Sequence, residues 1–246
     1  TKNNNQSGDE LRIIRSAFAT TGEFARERVA RTDNTFEAVV IMTNRLNAIF
    51  ERDLAIRFLL VENNDKIIFE NAATDPYENV ANELLRTNIE VLNQNIGRSN
   101  YDLGHVFTAR TAGGVQGVAF RGSVCTSSSA SGVSSYGGSD NNFLSTLAHE
   151  VGHQLGASHT WNSCREDSED QRSGFSAVEP GSGSTIMSYA GLCDTNNVSS
   201  SGFNFFHSFS INQMNNRLDD ATCYDKEPTG NTPPEVRIPY PNGLNI

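Results

Sequence analysis

Basic residues are scarce in this chain: among 246 residues, 19 Lys and Arg stand against 29 Asp and Glu, a formal net charge of −10. Nucleic-acid backbones are bound by clustered lysines and arginines, so nucleic acid is excluded as a partner. Long apolar runs are missing as well, and without about eighteen consecutive apolar residues nothing reads as a membrane span. There is no internal repeat and no C-x-x-C pair, which argues against zinc held by cysteines. Proline is confined, five of the seven falling in Lys226–Ile246, a stretch without helical periodicity that reads as an extended tail or a linker to a further module. Residues 1–9 are polar and Asn-rich and read as a loose arm. The 37 % hydrophobic content suits one core over residues 10–225.

Against this background one string stands out. His149-Glu150-Val151-Gly152-His153-Gln154-Leu155-Gly156-Ala157-Ser158-His159 is an uninterrupted H-E-x-x-H-x-x-G-x-x-H, and it uses three of the five histidines. Residues four apart lie on one helix face, so His149 and His153 converge from one side. Leu144, Leu147, Val151 and Leu155 give that helix an apolar stripe, and Asn142 is its expected N-cap. Gly156 falls where the helix must stop and turn back, which brings His159 in as the third ligand. Three neutral imidazoles leave zinc its double charge and an open position for water, as in a catalytic rather than a structural site. Glu150, beside the ligands but not one of them, is placed as general base. One zinc per chain and zinc-dependent hydrolysis are the expectation.

This string resembles the long zinc signature of the metzincin metallopeptidases. Their second hallmark, a tight turn with a methionine beneath the zinc, is matched by Ser184-Thr185-Ile186-Met187-Ser188-Tyr189 after the Gly/Pro-rich run Glu179-Pro180-Gly181-Ser182-Gly183. In metzincins whose turn reads Met-x-Tyr the tyrosine approaches the metal. The resemblance therefore implies that Tyr189 stabilises the oxyanion formed when the scissile carbonyl is attacked. The other reading of Tyr189 is a packed aromatic under the site. The tetrad Cys125, Cys164, Cys193 and Cys223 allows three pairings. Cys164 follows the third ligand and Cys193 follows Met187, so both belong on the floor beneath the zinc, leaving Cys125 for Cys223. Disulfides imply an oxidising compartment, hence secretion.

Along the chain, Leu11–Ala19 reads as a strand. Asn34 and Glu37 resemble a capping box opening a helix that buries Phe36, Val39, Val40, Thr43, Leu46 and Phe50. Leu54–Val61 is a strand dense enough in apolar residues for a sheet covered on both faces. Residues 79–96 are helical and Tyr101–Arg110 returns to strand. The order β, α, β, α, β argues for a mainly parallel sheet with crossover helices. Gly113–Phe120 reads as a glycine-loosened strand. In metzincins this is the antiparallel edge to which a peptide substrate adds itself, here along Gly117, Val118, Ala119 and Phe120. Ser127–Ser139 reads as flexible linker or a mobile cleft rim. Ser210 with Gln213 is a second capping box, with Phe209 and Met214 as its staple, for a last helix ending near Cys223. His105 and His207 are expected in structural hydrogen bonds.

Tyr101–Phe107, the zinc string and Glu179–Cys193 together look like the secreted bacterial reprolysin-like (adamalysin-like) group. Two departures from animal reprolysins, Thr160 for Asp and Tyr189 for Pro, also suit the pappalysin group. The resemblance implies an α/β fold of metzincin type: a mainly parallel twisted sheet with an antiparallel edge strand, backing helices and the active-site helix. An upper subdomain (10–156) would then face a smaller lower one (157–225) holding the Met-turn and last helix. Reprolysins often bind calcium opposite the cleft, at positions matched here by Glu10, Asp102 and the Cys223 carbonyl. Lys226 falls where an Asn is expected, and its ammonium is the competing occupant. The reading is a secreted, monomeric zinc endopeptidase acting on polypeptides. A peptide-binding pseudoprotease and a zinc amidase are the alternatives, the first disfavoured by the intact Glu150.

Overall fold

The computed structural model of the protein describes residues 8–28, 34–126 and 130–232, so most of the N-terminal arm and of the tail lies outside the described residues. Strands β1 (Glu10–Thr20), β2 (Ile56–Leu60), β3 (Leu103–Ala109), β4 (Gly117–Ala119) and β5 (Gly132–Tyr136) form a sheet in the order β2-β1-β3-β5-β4. β1 pairs in parallel with β2 and β3, and β3 with β5, whereas β4 runs antiparallel along β5. This is the mainly parallel sheet with an antiparallel edge that the resemblance implies.

Helices α1 (Gly22–Arg28), α2 (Thr35–Leu54), α3 (Ala81–Asn95) and α4 (Asp140–Gln154) cover the sheet, and α5 (Ser208–Asp219) is the last helix among the described residues. Successive strand residues point to opposite faces. Accordingly Ile14 and Phe18 of β1 join a core with α2, α4 and α5, while Ala17 and Ala19 join a second core against α3. Beyond α4, Ile186, Met187 and Phe206 also join the first core, and Trp161, Cys164 and Cys193 form a small third cluster.

Several elements differ from the sequence reading, each for a local reason. β2 is an edge strand rather than a strand covered twice: Ile56 and Phe58 are buried but Arg57 and Leu59 are exposed. The Asn47 side chain accepts from the Phe58 N–H at 2.8 Å and donates to its carbonyl at 3.0 Å, satisfying outward groups that would otherwise await a strand. Phe36 is also more than a third exposed, so the buried face of α2 runs through Val39, Met42, Leu46 and Phe50. The largest difference is β5, five fully buried residues inside the stretch read as linker. Its serines find partners, Ser134 Oγ lying 2.9 Å from His105 Nε2. Ser139 rather than Asn142 caps α4, its Oγ accepting from the Asn142 N–H. His207 rather than Ser210 caps α5, since its Nδ1 accepts from the Phe209 N–H at 3.1 Å and Ser210 lies inside the helix. α5 ends at Asp219, before Cys223. At the other end, Asp225–Pro228 is a strand, β6, paired antiparallel with β1, so the boundary drawn at 225/226 falls inside it.

Candidate metal centre and cleft

α4 is fixed by burial of Leu144, Leu147 and Val151 in the main core, which turns His149, Glu150 and His153 toward the cleft. The helix stops at Gly156, whose φ of +104° is a left-handed value that side chains avoid. The Ala157 N–H then bonds back to the Gly152 carbonyl at 2.9 Å, and two residues later His159 faces the helix.

The ring nitrogens show what this turn achieves. His149 Nε2 and His153 Nε2 each lie 3.1 Å from His159 Nε2. Every Nδ1 already has a carbonyl acceptor: His149 with Ile186 at 2.7 Å, His153 with Ala157 at 2.8 Å, His159 with Gln171 at 2.8 Å. Those bonds place the protons on Nδ1, so the three Nε2 atoms meet as lone pairs with no proton between them. Burial holds all three rings neutral, His149 well below the ordinary range, His153 down to about 3 and His159 lowered as well. Such a cluster repels itself unless a cation sits at its focus. Zinc–nitrogen bonds of about 2.0–2.1 Å in a tetrahedron set neighbouring nitrogens roughly 3.3 Å apart, so the donor set fits zinc, with outer carbonyls orienting each ligand. Among the described residues these three form the only group of this kind.

Glu150 is buried beside them, and burial pushes its carboxyl up to about 8; a dication nearby acts in the opposite direction. Its place depends on β4. A Cβ added to Gly117 would meet Glu150 Oε1 at 2.5 Å, so the edge strand leaves its glycine gap where the carboxylate lies. Val118 and Ala119 follow in β4, and Phe120 continues it with a backbone bond to Ser131.

The floor is irregular. Met187 is fully buried beneath α4, its Sδ 2.6 Å from where a Cβ on Gly152 would be. The Tyr189 ring lies 4.6 Å from that of His159 and stacks on Trp161 at 5.4 Å, and its hydroxyl donates to Gln171 Oε1. Burial raises its pKa, with Glu150 and Asp170 adding to the effect. Trp161 packs with the Cys164–Cys193 disulfide, against which Tyr189 rests. The second disulfide, Cys125–Cys223, joins the segment after β4 to the one after α5.

Two residues here have roles that the sequence motifs do not announce. Gln171 holds His159 through its carbonyl and Tyr189 through its side chain, and Glu179 lies buried under the Met-turn. Gln171 ends an acidic stretch with no motif, so no sequence signal marks it. The calcium positions are not assembled as an anionic site: Asp102 carries a two-pronged bond from Arg15, and Glu10 pairs with Lys226 at 3.0 Å. His105 is buried between Gln154 and Ser134, and burial lowers it to about 4.

The family model described as Metallo-peptidase family M12B Reprolysin-like matches residues 11–217. No curated protein matches the chain. A solved structure described as "Structure of a chaperone-substrate complex" is similar at a TM-score of 0.52 and 15 % identity, over 81 % of this chain and 33 % of that one. This chain therefore spans a third of that chain's length, and the likeness concerns the fold alone.

Proposed function

We propose, from the premise that this chain belongs to the M12B reprolysin-like metallopeptidases, that it is a secreted zinc endopeptidase holding its metal through His149, His153 and His159. The observation that carries the reading is the meeting of three imidazole nitrogens, those of His149 and His153 each 3.1 Å from that of His159, in a half-buried site. Zinc bound there supplies Lewis acidity and lowers the pKa of water toward about 7.

The chain's own residues then divide the work. Glu150, next to the ligands and largely buried, takes the proton of the attacking water and passes it to the leaving amine. Tyr189 gives its phenolic hydrogen bond to Gln171 at rest. As negative charge develops on the scissile carbonyl oxygen, it redirects that bond to the oxygen, a stabilisation made only in the transition state. Among the described residues β4 has a strand neighbour on one side only, so an extended polypeptide pairs along Gly117–Phe120 and crosses the metal with little demand on its side chains. Gly156 and Met187 set the turn and the floor, and residues 10–156 and 157–225 form the two walls. Two disulfides support an oxidising, extracellular setting. At the position matched to calcium, Lys226 supplies the positive charge instead.

Metal analysis together with cleavage of a proteome-derived peptide library tests the reading. One zinc per chain and cuts at internal bonds are expected. Protein free of zinc at pH 7 without chelator, or trimming of termini alone, overturns it.

A further inference from the structure

Glu179 is a carboxylate that the chemistry above does not use. It is 6 % exposed, yet no ion pair of the described residues includes it. Its oxygens are satisfied by hydrogen bonds alone. Oε1 accepts from the backbone N–H of Ser184 at 2.9 Å and of Thr185 at 3.1 Å, and from the Ser184 hydroxyl at 3.4 Å. Oε2 accepts from the hydroxyls of Thr160 and Thr185, the latter at 2.6 Å.

All these donors come from two places. Thr160 directly follows His159, and Ser184 and Thr185 lead into Met187. The main chain ties the same two segments: the Thr160 N–H donates to the Met187 carbonyl at 3.0 Å, and the Glu179 N–H to the Thr160 carbonyl at 2.9 Å. Burying a carboxylate without a cation is costly, and it persists where the geometry it enforces is needed. That need is local. Two ligands stand on α4, whose pitch sets their spacing, but the third arrives on a loop with no helix or strand to hold it. A metal site demands placement to about half an ångström.

We propose that Glu179 is a positioning residue of the metal centre: its carboxylate joins the segment bearing His159 to the turn bearing Met187 and holds the third imidazole in register with the two on α4. The inference rests on the reading of the three histidines as zinc ligands.

The test is the zinc dissociation constant, measured by competition with a chromophoric chelator well below the unfolding temperature, beside the melting temperature of the zinc-free protein. Glu179→Ala is expected to weaken zinc 10- to 100-fold, the range for outer partners of metal ligands. Glu179→Gln offers an oxygen to the two backbone N–H groups and an NH₂ to the two threonine hydroxyl oxygens, and it stays within threefold of wild type. A residue that only stabilises the fold lowers the zinc-free melting temperature and leaves zinc affinity within threefold, and that result overturns the proposal. So does a glutamine as damaging as alanine. If Glu179→Ala does not fold, Thr160→Val removes a single hydroxyl while keeping the shape. A 3- to 10-fold loss of zinc affinity supports the proposal and an unchanged affinity overturns it. Wild type that binds no zinc strikes the metal reading itself, whereas wild type that binds it with all variants alike strikes only the role of Glu179.

Discussion

From Glu10 to Gln154 the described chain is mostly helix and strand packed in two apolar cores, whereas from Leu155 to Phe206 it has only two short 3₁₀ turns and a single isolated bridge, Trp161 to Glu179. The floor's own apolar cluster is Trp161 with Cys164 and Cys193, Tyr189 resting against it. The two regions therefore reach a defined geometry by different means. Above the cleft, periodic burial positions side chains; below it, a disulfide, side-chain bonds to backbone and one buried carboxylate do so. Helical regularity delivers His149, Glu150 and His153 together, while His159, Met187 and Tyr189 must each be placed by particular neighbours.

The largest expected effect lies on the regular side. Glu150→Gln keeps the shape and removes the proposed base, so kcat should fall at least ~10²-fold while zinc content stays at the wild-type value. Activity within threefold of wild type removes Glu150 from the mechanism. On the irregular side, Tyr189→Phe should lower kcat and kcat/KM alike by about ten- to several-hundredfold. That is less than the loss of a sole oxyanion donor, because the metal shares the charge. A kcat within twofold, with zinc and melting temperature retained, reduces the tyrosine to packing.

The disulfides sharpen the contrast further. Cys125–Cys223 closes a separation of 98 residues and Cys164–Cys193 one of 29, so chain entropy assigns them about 4–5 and about 3–4 kcal/mol respectively. Replacing the long-range pair by serines should cost more in urea unfolding and leave kcat nearly intact. Replacing the floor pair should lower kcat several-fold, since Tyr189 and Trp161 rest on it. Equal losses of kcat in both double variants break the division between the two regions.

The smallest effect is one of pH. Burial pushes Glu179 up, but the bonds from Thr160, Thr185 and Ser184 outweigh it and hold the group below the ordinary value of 4.5. A depressed carboxyl contributes stability that is complete above its unfolded value and is lost as pH falls through the folded one. In zinc-free protein, the melting-temperature gap between wild type and Glu179→Gln should thus be constant above pH about 5 and close below it. A gap unchanged down to pH 3 shows that the ionised form contributes nothing.

Legibility followed the same division. α4 was readable because its apolar stripe and its histidines obey one period, and the glycine after it had one steric meaning. β5 was hidden because Gly132, Ser134 and Ser135 have the composition of a linker. Their burial is tolerable only through partners such as His105, more than 25 residues away in sequence. β2 misled in the opposite direction: its apolar density suggested cover on both faces, but a long-range side chain, Asn47, finishes the edge. Gln171 has no sequence signal, and Glu179 opens the run before the Met-turn without its role being legible there, because both roles consist of bonds to residues on other segments.

What the amino-acid sequence determined by itself was therefore local: the spacing of His149, Glu150 and His153 on one helix face, the stop at Gly156, and the alternation of helix and strand that builds a mainly parallel sheet. These follow from helix pitch, glycine sterics and burial period, which act over a few residues. Only the tertiary structure decided that His159 comes within 3.1 Å of both other imidazoles, that Gly117 leaves room for Glu150, and that Gln171 and Glu179 hold the floor. Hydrogen bonds and steric fits between segments depend on positions in space, and no local period encodes them.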